Sequence, residues 1–207
     1  MAATTTPRGS RRRALTRQAL TGAAAELIAE KGVAGLRIQE ITDRADVALG
    51  SFYNHFKTKD ELVEAVVADT IEVRARAIVE RMASIEDPAE VVSFACRRVI
   101  RIAYDEPELA WLFVHLDRAD VLFEAMVMPY WLQTLERGIT SGRFDIGDTH
   151  IVLTGVTGGA LAVMRAVLDR RYGGDADAVF AEGVLRSLGL NRADARSIAS
   201  RALTGAA

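Results

Sequence analysis

The sequence has one cysteine, Cys96, and only four prolines in 207 residues. A single cysteine excludes a disulfide within the chain and fits a reducing cytoplasm. No stretch alternates apolar and polar residues as a half-buried strand does. Half of the residues are hydrophobic, and alanine, leucine, arginine, glutamate and valine dominate. This composition predicts an all-α protein with a substantial core.

Long apolar segments are also scarce. No apolar run reaches the roughly 18 residues that a membrane-spanning helix needs. The arginines at positions 8 and 11–13 are not followed by the apolar stretch of a secretory signal. We therefore expect a cytoplasmic protein with no membrane partner.

The residue types that carry most enzyme and metal chemistry are few and scattered. Cys96, His55, His115 and His150 show no metal-ligand spacing. No Gly-x-Ser-x-Gly motif is present, and the glycines at 155, 158 and 159 are not followed by the Gly-Lys-Ser/Thr of a phosphate loop. The sequence therefore predicts no catalytic residue, no metal and no cofactor, and it argues against an enzyme.

Charge is unevenly distributed along the chain. Residues 1–60 hold ten Lys/Arg and six Asp/Glu, which leaves +4, whereas residues 61–207 hold 16 and 22, which leaves −6. The two parts add up to the net charge of −2. A basic N-terminal part suits a polyanion such as nucleic acid, although proteins without such a partner also show a bias of this size.

Residues 36–62 have the pattern of two short helices joined by a tight turn. The apolar positions of a helix predicted over residues 37–45 share one face: Ile38, Ile41 and Ala45. Asp46 then ends the helix, because aspartate tolerates a left-handed backbone better than most residues. In the second helix, predicted over residues 48–55, Phe52 and Phe56 form the inner face. This arrangement is a helix-turn-helix, whose second helix can enter the major groove of DNA.

The outer face of the second helix is small, polar and uncharged. Gly50 allows a close backbone approach, Ser51 can hydrogen-bond a base edge, and Leu49 can pack on a thymine methyl group. Phosphate contacts are expected at the edges of this face and at the start of the first helix. The predicted DNA-binding residues are Arg37, Gln39, Leu49, Gly50, Ser51, Tyr53, Asn54, His55 and Lys59, with plain exposure as the alternative for Gln39.

This segment resembles the DNA-binding domain of the tetracycline-repressor (TetR) family. The residues that carry the resemblance are Ile41, Ala45, Val47, Gly50, Ser51, Phe52, Tyr53, His55, Phe56, Thr58, Lys59 and Leu62. The sequence departs from the family pattern at Asp46, where glycine is usual, and at Ala48, where serine is usual. Alanine removes a side-chain N-cap and with it one phosphate contact.

The resemblance implies a fold and a function. The fold is a three-helix helix-turn-helix head followed by a C-terminal helical domain for effector binding and homodimerisation, with about nine to ten helices in all. The function is that of a sequence-specific transcriptional regulator, a repressor that a small, mainly apolar ligand releases from a near-palindromic operator in double-stranded DNA.

Helix patterns along the chain set the predicted boundaries. Residues 1–15 carry four arginines and no acid, and we interpret them as a flexible arm. This arm is either an idle tail or a source of phosphate or minor-groove contacts. A first helix is predicted from Thr16, as its N-cap, to Lys31. The head then spans residues 16–59, and the effector and dimerisation domain spans residues 60–207.

Two late helices, predicted over residues 148–171 and 175–188, match by position the pair that forms a four-helix bundle across the dimer axis in the family. Gly155 and Gly159 lie four residues apart in the first of them, and we expect another helix to approach closely there. The predicted dimer interface comprises Val152, Gly155, Gly159, Val163, Phe180 and Val184.

Aromatic and methionine side chains are concentrated in the second domain. Together they suit an apolar effector cavity, although for any one of them packing in the core is the alternative. The predicted ligand-binding residues are Phe94, Trp111, His115, Phe123, Met126 and Tyr130.

A second hypothesis belongs to another class of protein. In it the chain is a helical dimeric small-molecule-binding protein or enzyme with a vestigial DNA-binding head. Its affinity for duplex DNA would then be weak and unspecific.

Overall fold

The computed structural model describes residues 8–115 and 119–203, except for the side chains of residues 8, 119–123, 126 and 127. These ranges contain ten α-helices and no strand, which confirms the all-α prediction. The helices are α1 (Arg8–Lys31), α2 (Ile38–Arg44), α3 (Leu49–Tyr53), α4 (Lys59–Met82), α5 (Pro88–Asp105), α6 (Pro107–Val114), α7 (Ala119–Thr140), α8 (Thr149–Leu168), α9 (Ala176–Ser187) and α10 (Arg192–Ala199). The chain divides into two compact units between Thr70 and Ile71, inside α4.

The first unit is built on the predicted helix-turn-helix. Gly32, with a φ of +72°, ends α1, and a short 3-10 turn at Val33–Gly35 leads to α2. Asp46, with a φ of +53°, ends α2 as the sequence predicts. Ile41, Phe52 and Phe56, which the pattern placed on inner faces, are fully buried, whereas Ile38 is half-buried; Leu20 and Leu62 are also fully buried.

The N-terminal segment corrects one prediction. Helix α1 begins at Arg8, so residues 8–15 are helical and do not form a flexible arm. Thr16 is not an N-cap, because its hydroxyl donates to the carbonyl of Arg12 at 3.1 Å within the helix. The reason is local: arginine and alanine are strong helix formers, and Pro7 is followed by 80 residues without a proline. Residues 1–7 of the predicted arm lie outside the described residues.

In the second unit, α5 packs against α8 and α9, and α10 packs on α9 and α5. Helix α5 begins with Pro88 in its first turn, and the carboxylate of Asp87 accepts from the amide of Ala89 at 2.9 Å. Asp148 caps α8 in the same way, by accepting from the amides of His150 and Ile151. The buried faces of these helices form one apolar core.

Helix α8 corrects the expectation that no segment is apolar enough to span a membrane. By length and composition, Thr149–Leu168 is the one helix in the described ranges that passes this test. Eight of its residues are buried, and it packs against α5, α6, α7 and α9. A helix that packs against four others needs apolar residues on the faces that it buries, so packing accounts for part of this composition.

Candidate nucleic-acid interface and effector cavity

Helix α3 presents the predicted outer face to solvent. Leu49 and Tyr53 are exposed, and Ser51 is half-buried. Gly50 is exposed, and a Cβ at this position would meet no atom within 4 Å. Phe52 and Phe56 point into the unit. The side chains that could reach base edges therefore lie together on one open surface.

Basic side chains of α1 lie beside the C-terminal end of α3. Arg13 donates to the backbone carbonyl of Asn54 at 3.4 Å, and the guanidinium of Arg17 lies 4.4 Å from the centre of the Phe56 ring. Burial lowers the pKa of His55 below its usual value, and the positive charges of Arg13 and Arg17 lower it further. The structure thus holds the basic segment on a helix next to α3, where the sequence predicted a flexible arm.

Of the other predicted DNA contacts, some side chains are exposed to solvent and some already contact other groups of the protein. Arg37 precedes α2 and is exposed. The side-chain amide of Gln39 donates to the carboxylate of Asp43 at 2.9 Å, one turn along α2. Lys59 is half-buried, and its Nζ lies 3.5 Å from the carbonyl of Leu36. Arg37 is thus the most accessible of these three for a phosphate, and the alternative reading of Gln39 as simply exposed stays open.

A small apolar cavity lies in the second unit, between α4, α5, α7 and α8. Its volume is about 50 Å³. Helix α4 supplies the largest share of the described lining: Ile71, Arg74, Ala75, Ile78, Val79 and Met82. The indole of Trp131 forms part of the opposite wall. An apolar space between helices with few polar groups in its lining is typical of a small-molecule site.

Five lining residues carry a hydroxyl, thiol or N–H group on the side chain, one of them the indole N–H of Trp131. Arg74 is paired with Glu106 at 2.7 Å, so its charge is compensated. Burial raises the pKa of the Cys96 thiol to about 12, which keeps it protonated and unreactive. Tyr130 is partly exposed, whereas Thr157 is buried. The described lining is therefore almost neutral as well as apolar.

The predicted ligand-binding residues are only partly brought together. Tyr130 lines the cavity. Phe94 packs against the core, and Trp111 is exposed and stacks on His115 with 4.3 Å between the ring centres, so none of these three lines it. Side-chain type alone does not show which way a helix faces, and a ligand contact by these three residues stays a prediction. The side chains of Phe123 and Met126 lie outside the described ones.

An apolar groove runs along α8 and α9. Five of the six predicted interface residues line it: Val152, Gly155, Val163, Phe180 and Val184. Gly159 is not among the groove residues, and a Cβ there would lie 3.1 Å from the Phe180 ring. Exposed Ile151 and Val179, which the sequence reasoning missed, also line the groove. Their branched side chains carry no sequence signal that distinguishes an outer from an inner face.

A buried ion pair connects the cavity wall to the groove. Arg97 of α5 donates to the Asp177 carboxylate of α9 at 2.8 Å, and the side chains of Arg97 and Asp177 are only 14% and 3% exposed. A second arginine, Arg101, lies 3.9 Å from the same carboxylate. Arg97 also donates to the carbonyl of Arg201. This network fixes α5, which lines the cavity, against α9, which lines the groove.

Comparison with known families matches both units. Residues 20–66 match the family of bacterial regulatory proteins named tetR, and residues 87–201 match the tetracyclin repressor-like C-terminal domain. The chain belongs to the TetR family. It is therefore a DNA-binding transcriptional regulator of the helix-turn-helix type, as the sequence predicted. Regulators of this family bind DNA and ligands and act as dimers.

Individual relatives support the assignment over different lengths. The repressor KstR2 of Mycolicibacterium smegmatis is 36% identical over 56 residues, 27% of each chain. KstR2 of Mycobacterium tuberculosis is 27% identical over 135 residues, 58% of this chain and 65% of that protein. The match thus spans less than two thirds of either relative.

The structural likeness to RolR is more extensive. The crystal structure of RolR in complex with resorcinol superposes with a TM-score of 0.83 at 32% identity, over 95% of this chain and 98% of that one. RolR without ligand superposes with a TM-score of 0.78 at 31% identity, over 89% of this chain and 97% of that one.

Proposed function

We propose that this protein is a homodimeric repressor that a small, neutral, hydroxylated aromatic compound releases from a near-palindromic operator. The open, uncharged face of α3 supports the DNA-reading part of the proposal. The apolar groove on α8 and α9 supports the dimer. The apolar cavity, together with the extensive likeness to a resorcinol-binding regulator, supports the effector class. Because its partner is the bacterial chromosome, we place the protein in the cytoplasm.

The proposed role of the exposed face of α3 in DNA recognition is tested by removing single hydroxyl groups from it. We expect Ser51→Ala and Tyr53→Phe each to weaken operator binding about three- to tenfold, which is the usual value of one hydrogen bond. The matched control is Ser84→Ala in the other unit, because Ser84 is exposed in the turn after α4 and lies outside both the cavity lining and the groove. The measurement is fluorescence anisotropy with the protein's own upstream DNA. Unchanged binding by both variants would show that α3 does not read the bases through these groups.

We propose that the arginines of α1 contact DNA phosphates that flank the base pairs contacted by α3. Arg11 and Arg12 are exposed on a helix that is anchored beside α3. Each phosphate contact contributes about one to the slope of log affinity against log salt concentration. The double variant Arg11→Gln/Arg12→Gln should therefore lower that slope by about two for operator and scrambled DNA alike. Arg192→Gln, on α10, is the control and should leave it unchanged.

The proposed dimer interface is tested by substituting a residue of the groove. Val179 in the groove and Val73 on α4 are 63% and 64% exposed, so neither substitution disturbs a core. Burying an unpaired carboxylate in an apolar interface is costly. Val179→Asp should weaken dimerisation by roughly a hundredfold or more, whereas Val73→Asp should remain a dimer. Analytical ultracentrifugation distinguishes the two, and a dimeric Val179→Asp variant would argue against this interface.

The small volume of the cavity relative to an aromatic ring supports a mechanism by which the effector releases the operator. A cavity of about 50 Å³ is smaller than the ~150 Å³ that accommodates benzene in an engineered core. An aromatic ring therefore enters only if lining side chains move, and α4 supplies many of them. The same helix begins at Lys59, directly after the helix-turn-helix. A ligand that binds better to the widened state thus favours a different position of α4, and through α4 a different position of the head.

The effector class is tested on the protein–operator complex. Specific binding should exceed binding to scrambled DNA by about a thousandfold or more at roughly physiological salt. Resorcinol or phenol should then release the operator, whereas benzoate should not, because the cavity offers no uncompensated positive charge among its described side chains. Equal binding to operator and scrambled DNA would instead favour a small-molecule-binding protein or enzyme with a vestigial head.

A further inference from the structure

Thr157 differs from the other buried threonines of the described chain. Thr21, Thr42 and Thr134 each donate their hydroxyl to a carbonyl in the preceding turn, at 3.2, 2.9 and 3.0 Å. Thr157 is only 3% exposed, yet no hydrogen bond of its hydroxyl is found within the described ranges. A buried hydroxyl without a partner costs free energy, so this exception calls for an explanation.

The hydroxyl of Thr157 faces the cavity. In the described part of the chain, every side-chain oxygen or nitrogen atom that is fully buried has a hydrogen-bond partner. The Thr157 oxygen must therefore reach open space, and Thr157 lines the cavity between α4, α5, α7 and α8. Thr157 thus presents a neutral hydroxyl, which can both donate and accept, to a mainly apolar cavity.

The other polar groups of the cavity are less suited to bind a neutral hydroxyl. Arg74 is engaged by Glu106 at 2.7 Å. The Cys96 thiol is a weak donor and a weak acceptor, and the indole N–H of Trp131 can donate but cannot accept. Tyr130 is partly exposed, so water competes for its hydroxyl. Thr157 is buried and unpaired, and a ligand hydroxyl placed there would form a hydrogen bond shielded from water.

We propose that Thr157 hydrogen-bonds the hydroxyl group of the effector and so selects phenols over apolar rings of the same shape. The proposal rests on the effector class given above. A site built around a polar group rejects an analogue that leaves this group unpaired. The ligand's ring would occupy the space beside Trp131, and its oxygen would meet the Thr157 hydroxyl.

Trp131 provides the assay. The chain has two tryptophans. Trp111 is exposed on α6 and outside the cavity lining, whereas Trp131 is buried and lines the cavity. Trp111→Phe therefore leaves one fluorophore at the site. Titrations with phenol, resorcinol and toluene, with excitation at the red edge of tryptophan absorption, give the Kd of each compound. Phenol and toluene differ only by a hydroxyl in place of a methyl group.

Four variants, each made in the Trp111→Phe protein, distinguish the effect of the Thr157 hydroxyl on ligand binding from the effect of side-chain volume. Thr157→Val removes the hydroxyl at nearly constant volume, and Thr157→Ala removes it by a second route. Thr157→Ser retains it. Thr154→Val makes the same chemical change at an exposed position of α8. Melting temperature and operator affinity are measured for each variant to show that the fold is kept.

We expect the Kd for phenol to rise about three- to tenfold in Thr157→Val and Thr157→Ala, which is the usual value of a neutral hydrogen bond. The Kd for toluene should change less than twofold, and Thr157→Ser and Thr154→Val should bind phenol like the parent. Equal phenol binding by parent, Thr157→Val and Thr157→Ala would overturn the role of Thr157 and leave the proposed function intact. A parent that binds neither phenol nor resorcinol would overturn the effector class and this inference together.

Discussion

The buried ion pair between Arg97 and Asp177 leads to a prediction about stability. Asp177→Asn keeps the shape of the side chain and removes its charge. The guanidinium of Arg97, 14% exposed, would then lose its ionised partner at 2.8 Å and keep only the carbonyl of Arg201. An uncompensated buried charge is strongly unfavourable, so the folded state should be destabilised.

The size of the effect follows from burial. Removing one partner of a buried ion pair costs about 3–5 kcal/mol in the free energy of unfolding. For a chain of this length, 1 kcal/mol corresponds to about 2–4 °C in melting temperature. Asp177→Asn should therefore melt roughly 6–20 °C below the parent protein.

The assay is thermal unfolding followed by circular dichroism at one fixed protein concentration, because dimerisation contributes to the stability. Asp105→Asn is the control, since Asp105 forms an exposed pair with Arg101 at 3.3 Å that is worth about 0–1 kcal/mol. The double variant Arg97→Met/Asp177→Leu replaces the pair with apolar side chains and should recover much of the loss. If Asp177→Asn melts within a degree or two of Asp105→Asn, the pair is not the constraint that its burial indicates.

Three further predictions concern pH and packing. Because burial and the arginines of α1 lower the pKa of His55 and phosphates favour its protonated form, operator binding should strengthen as pH falls from about 7.5 to 6; anisotropy with His55→Gln should show no such trend. Burial alone would raise the pKa of Asp87, but hydrogen bonds and charge, chiefly from Arg143, lower it. A depressed folded pKa stabilises the protein above the unfolded value of about 3.9, and this stability is lost as pH falls through the folded value. Asp87→Asn, which keeps a capping residue, should flatten the decline of melting temperature below about pH 4. Gly138→Ala would place a Cβ 1.9 Å from the buried Phe144 ring and should destabilise the protein by about 1–3 kcal/mol or more in chemical denaturation, whereas Gly22→Ala, with no atom within 4 Å, should not.

The helix-turn-helix was predictable because its determinants are local. The spacing of Ile41, Phe52 and Phe56 places them on inner faces. Asp46 ends its helix by its own left-handed backbone conformation, which does not depend on distant contacts. The caps at Asp87 and Asp148 act within one turn of their own helices. The early start of α1 is also a local feature, because it follows from the helix propensity of residues 8–15 and not from the charge of their arginines.

The sequence by itself determined the helices, their ends, the inner and outer faces of the DNA-binding head, and the family. Only the tertiary structure decided which side chains meet. Arg97 and Asp177 are 80 residues apart, and the cavity draws its lining from four separate helices. Gly155 and Gly159 have the same local signal, yet one faces the groove and the other contacts Phe180. Periodicity shows that a helix has a buried face, but which neighbour covers that face depends on contacts between distant segments of the chain.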